Sequence, residues 1–302
     1  MKTKSIIWWV ITTASAILIV VYLCAASYLW ARQSHFIFRP ERDVVNSPAD
    51  YGIPYEDLYI AVSDVDGEGE RIHAWLMPAE HSSGKYLLYL HGSALNIGAN
   101  INHAQRFRNM GLSVLLISYR GYGKSDGTFP EENKLYADTE AAWNYLVIQE
   151  KVKPDSIFIY GHSLGGAVAI NLAVDHPDAG GLIVESAFTS IVDMAKLEPA
   201  YRIFPLSLMV HQRFDSRKKV RHLQVPVIYI HGTQDSLVPY GMSRVLYKLT
   251  ASAKQMELIQ GGGHNNSALV GGKKYILAVK RFFDFADKVN RCLPTPRRVT
   301  FR

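Results

Sequence analysis

A serine set among glycines, Gly161-His162-Ser163-Leu164-Gly165-Gly166, carries the clearest chemistry in the sequence. The pattern G-x-S-x-G follows the apolar run SIFIY directly and opens an apolar, helix-forming stretch. A strand–turn–helix junction of this kind lifts a serine hydroxyl above the end of a sheet. Its turn is too tight for large side chains two residues before or after the serine. The helix that follows aims free N–H groups at the place where negative charge would develop. The chemistry implied is nucleophilic attack on an acyl carbon, which requires a base for the hydroxyl and an acid to orient that base.

Acid and base follow such a serine in that order along the chain. The run VPVIYI ends in His231-Gly232-Thr233-Gln234-Asp235. This puts Asp235 on the loop at a strand's C-terminal end, where α/β sheets build their sites. QMELIQ then leads into Gly261-Gly262-Gly263-His264, whose glycines give a loop able to swing an imidazole over Ser163. Glu185, ending the run GLIVE, is the rival acid, since a carboxylate there could reach the same histidine. His91 and His231 end strands before glycines and are expected to pack or to bond loop backbone, and His162 is the variable residue of the turn. Acyl transfer also needs donors for the oxyanion, each contributing about 3 kcal/mol. The Leu164 N–H is one candidate, and His91-Gly92-Ser93 supplies the Ser93 N–H as the second. No His/Asp/Glu cluster has metal-ligand spacing, so neither metal nor other cofactor is implied.

Taken together, these motifs resemble the membrane-anchored α/β-hydrolase-fold serine hydrolases whose oxyanion loop reads HGNAGN. That group carries a D-Y-R-G-Y/F-G-x-S-x-G run after its fourth strand. Here it is matched by Ser118-Tyr119-Arg120-Gly121-Tyr122-Gly123-Lys124-Ser125-Asp126-Gly127. The match spans residues 55–285 and includes an FDS…VPV…HG…D…VP stretch from Phe214. Ser93 stands where the group has Asn, and Leu95 where it has Gly. The resemblance implies the α/β-hydrolase fold and cleavage of a carboxylic ester or thioester, of a lipid or other small acylated substrate, through an acyl-enzyme. A serine aminopeptidase-like hydrolase and a catalytically silent membrane module stay open as alternatives. The peptidase would need a carboxylate for the substrate amine, which the sequence does not locate.

These residues have to be positioned by a scaffold. DLYIAV and RIHAWLM read as an opening antiparallel pair around a turn at Asp66-Gly67. YLLYLH, SVLLIS, SIFIYG, GLIVES, VPVIYIHG and QMELIQ then read as strands buried on both faces. Helical stretches alternate with them at 100–110, 133–150, 164–175, 241–250 and 274–288. The pattern predicts a mostly parallel twisted sheet with helices on both faces. A short lid insertion follows the sixth strand. Met194, Leu197, Tyr201, Phe204, Leu206 and Met209 in that insertion could line an acyl pocket or pack as a helix on the sheet. Its length predicts a fairly open, shallow pocket.

The ends divide the chain into an anchor (1–34), a catalytic domain (35–290) and a basic tail (291–302) expected to be disordered. No charged residue lies between Lys4 and Arg32, enough to cross ~30 Å of hydrocarbon. Trp8 and Trp9 at one end and Tyr28 and Trp30 at the other resemble interfacial belts, so residues 6–30 read as a single membrane pass. Ala25-Ala26-Ser27 would suit cleavage of a signal peptide, but signal cores run only ~7–15 residues. Basic residues flank both ends of the span almost equally. The short leading tail points to an N-terminus inside and a catalytic domain across the membrane. The net charge of +6 includes basic residues at the two chain ends, with no basic stripe interleaved with aromatics, which argues against nucleic acid as partner. Two cysteines, Cys24 and Cys292, form no disulfide framework.

Overall fold

The computed structural model describes residues 2–63 and 69–292. Among them, eight strands form one sheet: β1 (Glu56–Ala61), β2 (Arg71–Met77), β3 (Lys85–Leu90), β4 (Leu112–Ile117), β5 (Ile157–His162), β6 (Gly181–Glu185), β7 (Val227–Gly232) and β8 (Lys254–Ile259). Their spatial order is β1-β2-β4-β3-β5-β6-β7-β8. β2 runs antiparallel to β1 and to β4, and all the other neighbours are parallel. The turn expected at Asp66-Gly67 lies outside the described residues.

The helices of eight or more described residues are α1 (Lys2–Ala31), α2 (Ile101–Arg108), α3 (Glu132–Asn144), α4 (Leu164–Asp175), α5 (Gly241–Leu249) and α6 (Ser267–Cys292). They explain why the central strands are unbroken apolar runs. On one face Leu88, Leu115, Ile159 and Val184 pack with Trp143 of α3, Val168 of α4 and Leu246 of α5. On the other, Leu87, Val114, Phe158 and Ile228 pack with Phe107 of α2 and Phe282 of α6. Each large side chain so buried contributes roughly 1.5–3 kcal/mol. Helix α6 is interrupted at Gly272, and its second part contains the helix expected at 274–288. Arg291 and Cys292, assigned to the tail on sequence, close its last turn, and the remainder of the tail lies outside the described residues.

From Ile6 to Ala31, α1 is an apolar, solvent-exposed span of 26 residues. At 1.5 Å per residue that is about 39 Å, more than a bilayer's hydrocarbon thickness. The chain then enters the domain through a short helix, Gln33–Ile37, and the buried Phe38. Arg39–Pro40 pairs in parallel with Ala94–Leu95, which ties the entry segment to the loop after β3. The insertion between β6 and β7 contains three short helices, Ile191–Ala195, Leu206–Met209 and Ser216–Lys219.

Candidate active site

Ser163 sits between β5 and α4 with φ 55° and ψ −119°, a left-handed strain that an L residue adopts only where its surroundings enforce it. The glycines two residues to either side are explained by collisions. A Cβ on Gly161 would lie 2.1 Å from the Gly165 carbonyl oxygen, and one on Gly165 would lie 2.2 Å from that of Leu90. The turn therefore closes only with glycine at both positions.

His264 and Asp235 converge on this serine from the loops after β8 and β7. His264 Nε2 stands 3.0 Å from Ser163 Oγ, and His264 Nδ1 stands 2.7 Å from Asp235 Oδ2. With Nδ1–H donating to the carboxylate, Nε2 is left to accept the hydroxyl proton of Ser163. The glycines before His264 serve close approach more than freedom. A Cβ on Gly232 would meet the Gly262 carbonyl at 2.2 Å, and Gln234 N–H donates to that same oxygen at 2.8 Å. Backbone packed against backbone here fixes the Asp235 loop beside the His264 loop.

Four donors reach the Asp235 carboxylate. Leu237 and Val238 N–H donate to Oδ1 at 2.9 and 2.8 Å, while His264 and His231 donate to Oδ2. Burial works to raise the Asp235 pKa, but the bonds from His231, His264 and Val238 outweigh it and hold the carboxyl well below its ordinary range. His231 is fully buried, and its Nε2–H is shared between Asp235 Oδ2 at 3.1 Å and Val238 O at 2.9 Å. Its Nδ1 accepts from Ser243 Oγ at 2.7 Å. The sequence leads one to expect His231 to pack or to bond loop backbone; it does bond the Val238 carbonyl, and in addition it braces Asp235. The one signal for this was its position four residues before Asp235.

The loop after β3 faces the serine. A Cβ on Gly92 would lie 3.6 Å from Ser163 Cβ, and Ser93 lines the same pocket. Leu164 opens α4, so its N–H is one of the donors a helix start leaves free. The peptide planes of the loop are held from behind. Tyr119 Oη donates to the His91 carbonyl at 3.1 Å, Tyr122 Oη donates to that of Ser93 at 2.7 Å, and Arg39 N–H donates to Ser93 O at 2.8 Å. The Ser118–Gly127 run thus buttresses the loop after β3, a role that its sequence did not disclose. His91 packs on Tyr119 and Tyr122, and burial pushes its pKa down to about 4. His162 donates from Nε2 to the His264 carbonyl at 2.9 Å, and burial lowers its pKa too. Leu95, where the resembled motif has glycine, holds φ 65° and stands 55% exposed at the pocket mouth.

The pocket over Ser163 has a volume of about 320 Å³. Leu95 and Leu237 border it, and Tyr89, Asn100, His103, Tyr160 and Glu185 line it as well. None of the six insertion residues expected in an acyl pocket lines it. Tyr201, Leu206 and Met209 instead face Leu29, Phe36 and Ile37 across an apolar groove. Phe204 stacks on Tyr22 of α1 at 5.2 Å, Met194 packs on the sheet core, and Leu197 is 41% exposed. Gln33 fastens this arrangement, donating to Met209 O and accepting from His211 and Gln212 N–H. The insertion's apolar side chains cover the C-terminal end of α1 and the short helix after it because that apolar surface lies beside them. Glu185, the rival acid, bonds to Tyr160 and Tyr275 rather than to His264.

Sheet order and the serine junction define the class: this is an α/β-hydrolase fold. A family model described as serine aminopeptidase, S33, matches residues 82–215, which include Ser163 and stop before Asp235 and His264. The chain is 31% identical over 269 residues to protein bem46 of Schizosaccharomyces pombe, covering 85% of this chain and 88% of that one. It is 30% identical over 246 residues to the alpha/beta hydrolase domain-containing protein WAV2 of Arabidopsis thaliana, covering 76% and 78%. With the lysophosphatidylserine lipase ABHD12 of Danio rerio it shares 29% over 288 residues, covering 84% and 74%. An esterase of Pyrococcus furiosus superposes with a TM-score of 0.69 at 18% identity, over 82% of this chain and 98% of that one. The chain belongs to the α/β-hydrolase family of bem46 and WAV2.

Proposed function

We propose that this chain is a membrane-anchored serine hydrolase that cleaves carboxylic ester or thioester bonds of a lipid or other acylated substrate. Ser163 Oγ attacks the acyl carbon while His264 Nε2 takes its proton, and Asp235 orients the imidazole and stabilises its charged form. The Ser93 and Leu164 N–H groups hold the oxyanion. As the tetrahedral intermediate collapses, His264 returns the proton to the departing alcohol or thiol, and the acyl group stays on Ser163. Water then gives a proton to His264 and attacks the acyl-enzyme. The carboxylic acid departs and Ser163 regains its hydrogen. The observation that carries this reading is the unbroken chain of contacts from Asp235 through His264 to Ser163, at 2.7 and 3.0 Å.

At about 320 Å³ the pocket is at the small end of the ~300–1,000 Å³ typical of whole-ligand sites. A long acyl chain would therefore pass out over Leu95 and Leu237. The exposed apolar span of α1 supports membrane attachment, with the hydrolase domain on the side away from the N-terminus. The lipase name of ABHD12 supports a lipid substrate. The test is a panel of esters and thioesters graded by acyl length, given to the full chain in detergent micelles. Turnover of part of the panel, lost in a folded Ser163→Ala variant, is the expected result. Undiminished turnover in that variant would end the mechanism.

A further inference from the structure

Glu185 is an acidic residue of the pocket whose chemistry the hydrolytic reading leaves unused. It ends β6 directly beside the serine junction, where Ser163 N–H donates to the Glu185 carbonyl at 2.9 Å. Its side chain lines the pocket although the residue is only 2% exposed. Tyr160 and Tyr275 hydroxyls donate to Oε2 at 2.9 and 2.7 Å, and His103 Nε2 stands 3.6 Å from the same oxygen. All three contacts fall on Oε2, and among the described residues Oε1 accepts no hydrogen bond.

Charge is unbalanced here as well. Among the described residues no lysine or arginine makes an ion pair with Glu185. His103 is the basic side chain that stands against it, its pKa lowered by burial to about 4 although the Glu185 charge pulls the other way; the same charge also acts on His162, and Arg106 acts on His103 and Tyr275 from further off. A second acceptor lies on the same wall. Asn100 Nδ2 donates to Asn96 O at 3.0 Å, which fixes the amide and turns its Oδ1 toward the Tyr89 hydroxyl at 3.2 Å. Tyr89 and Tyr160 pack on each other at 4.6 Å, so their rings do not form the open cage that a quaternary ammonium requires.

We propose that the inner end of the Ser163 pocket is a subsite for a primary ammonium group of the substrate, with Glu185 Oε1 as its charged partner and Asn100 Oδ1 as a further acceptor. The proposal rests on Ser163 being the nucleophile, because the ammonium is then read on a short tether from the scissile acyl group. That tether runs through the leaving alcohol, as in an amino-alcohol ester, or through the acyl part, as in an amino-acid ester.

Two pairs of substrates that differ only by nitrogen for carbon distinguish these sources. The first is 2-aminoethyl butyrate against propyl butyrate, and the second is ethyl 4-aminobutanoate against ethyl pentanoate. Each is measured as kcat/KM with the full chain in micelles near pH 6.5. At least a tenfold preference for the amine in one pair is expected, and Glu185→Gln should bring that ratio to about one whatever the absolute rates. A ratio near one in both pairs for the parent protein, or a preference that survives in a folded Glu185→Gln variant, overturns the subsite. An equal preference for 2-hydroxyethyl butyrate over propyl butyrate also overturns it, since charge would then not be what the pocket reads. If none of these esters is turned over, the hydrolytic reading has failed on its own. Calorimetric titration with ethylammonium chloride then decides the subsite directly. Saturable heat in the parent that is lost in Glu185→Gln supports it, and no heat, or equal heat in both, contradicts it.

Discussion

The junction around Ser163 and the insertion between β6 and β7 are both built from small and apolar residues, yet they differ in how tightly sequence dictates structure. At the junction each residue type answers a steric demand within a few ångströms. Gly161 and Gly165 face carbonyl oxygens, Gly232 faces Gly262, and one alternative side chain at any of these would force the loops apart. In the insertion no such demand exists. Tyr201, Leu206 and Met209 need an apolar neighbour, and Leu29 of α1 with Phe36 and Ile37 of the short helix after it satisfies that need as well as a bound acyl chain would. Close contact between backbones specifies geometry, whereas apolar composition specifies only burial.

Substitutions at the two regions should therefore separate cleanly. The largest effect is expected at the acid. Asp235→Asn should lower turnover by about 10⁴-fold, because an amide favours the wrong imidazole tautomer. Loss of less than tenfold in steady-state assays would mean that another group orients His264.

At the oxyanion loop, Ser93→Pro removes the N–H and should lower kcat by about 10²–10³-fold, while Ser93→Ala keeps it and should stay within a few-fold. Equal damage from both would assign the role to the hydroxyl, and a harmless proline in a folded protein would move the donor to Ala94.

His231→Phe deletes one donor to Asp235 and should destabilise the fold by roughly 1–3 kcal/mol near neutral pH. The sign of its pH dependence is fixed. A carboxyl held below its ordinary range stabilises the fold above the unfolded-state pKa and loses that contribution as pH falls. The deficit in melting temperature should therefore shrink on acidification, and a deficit that grows would contradict the bracing role.

The smallest effect on chemistry is expected in the insertion. Phe204→Ala breaks the stack on Tyr22 and should lower the melting temperature while leaving short-ester kcat/KM within about twofold. A tenfold loss would place the insertion back at the pocket.

Much of the sheet and of the hydrogen-bonded chain was legible in the sequence, for the same reason that makes the junction rigid. Continuous apolar runs mark strands covered on both faces. G-x-S-x-G, the loop with Asp235 and the triple glycine before His264 record local constraints on backbone approach. The missing parts depend on contacts between distant segments. Tyr119 and Tyr122 hold the Ser93 loop through hydroxyls whose acceptors lie about 28 residues away along the chain. Glu185 reads as a rival acid because a carboxylate at the end of GLIVE could reach His264, but Tyr275 of α6 helps turn its carboxyl elsewhere. Arg291 reads as tail because the prolines after it break helices, while α6 continues two residues into that segment.

The central claim is that Ser163 carries the acyl group, and peptide-mapped covalent labelling tests it most directly. A fluorophosphonate probe incubated with the full chain in micelles should modify one site, on the peptide that contains Ser163. It should fail with Ser163→Ala and react at least about 10³-fold more slowly with His264→Ala, where the hydroxyl has lost its base. Labelling at another residue, or none in a folded parent protein, would contradict the account.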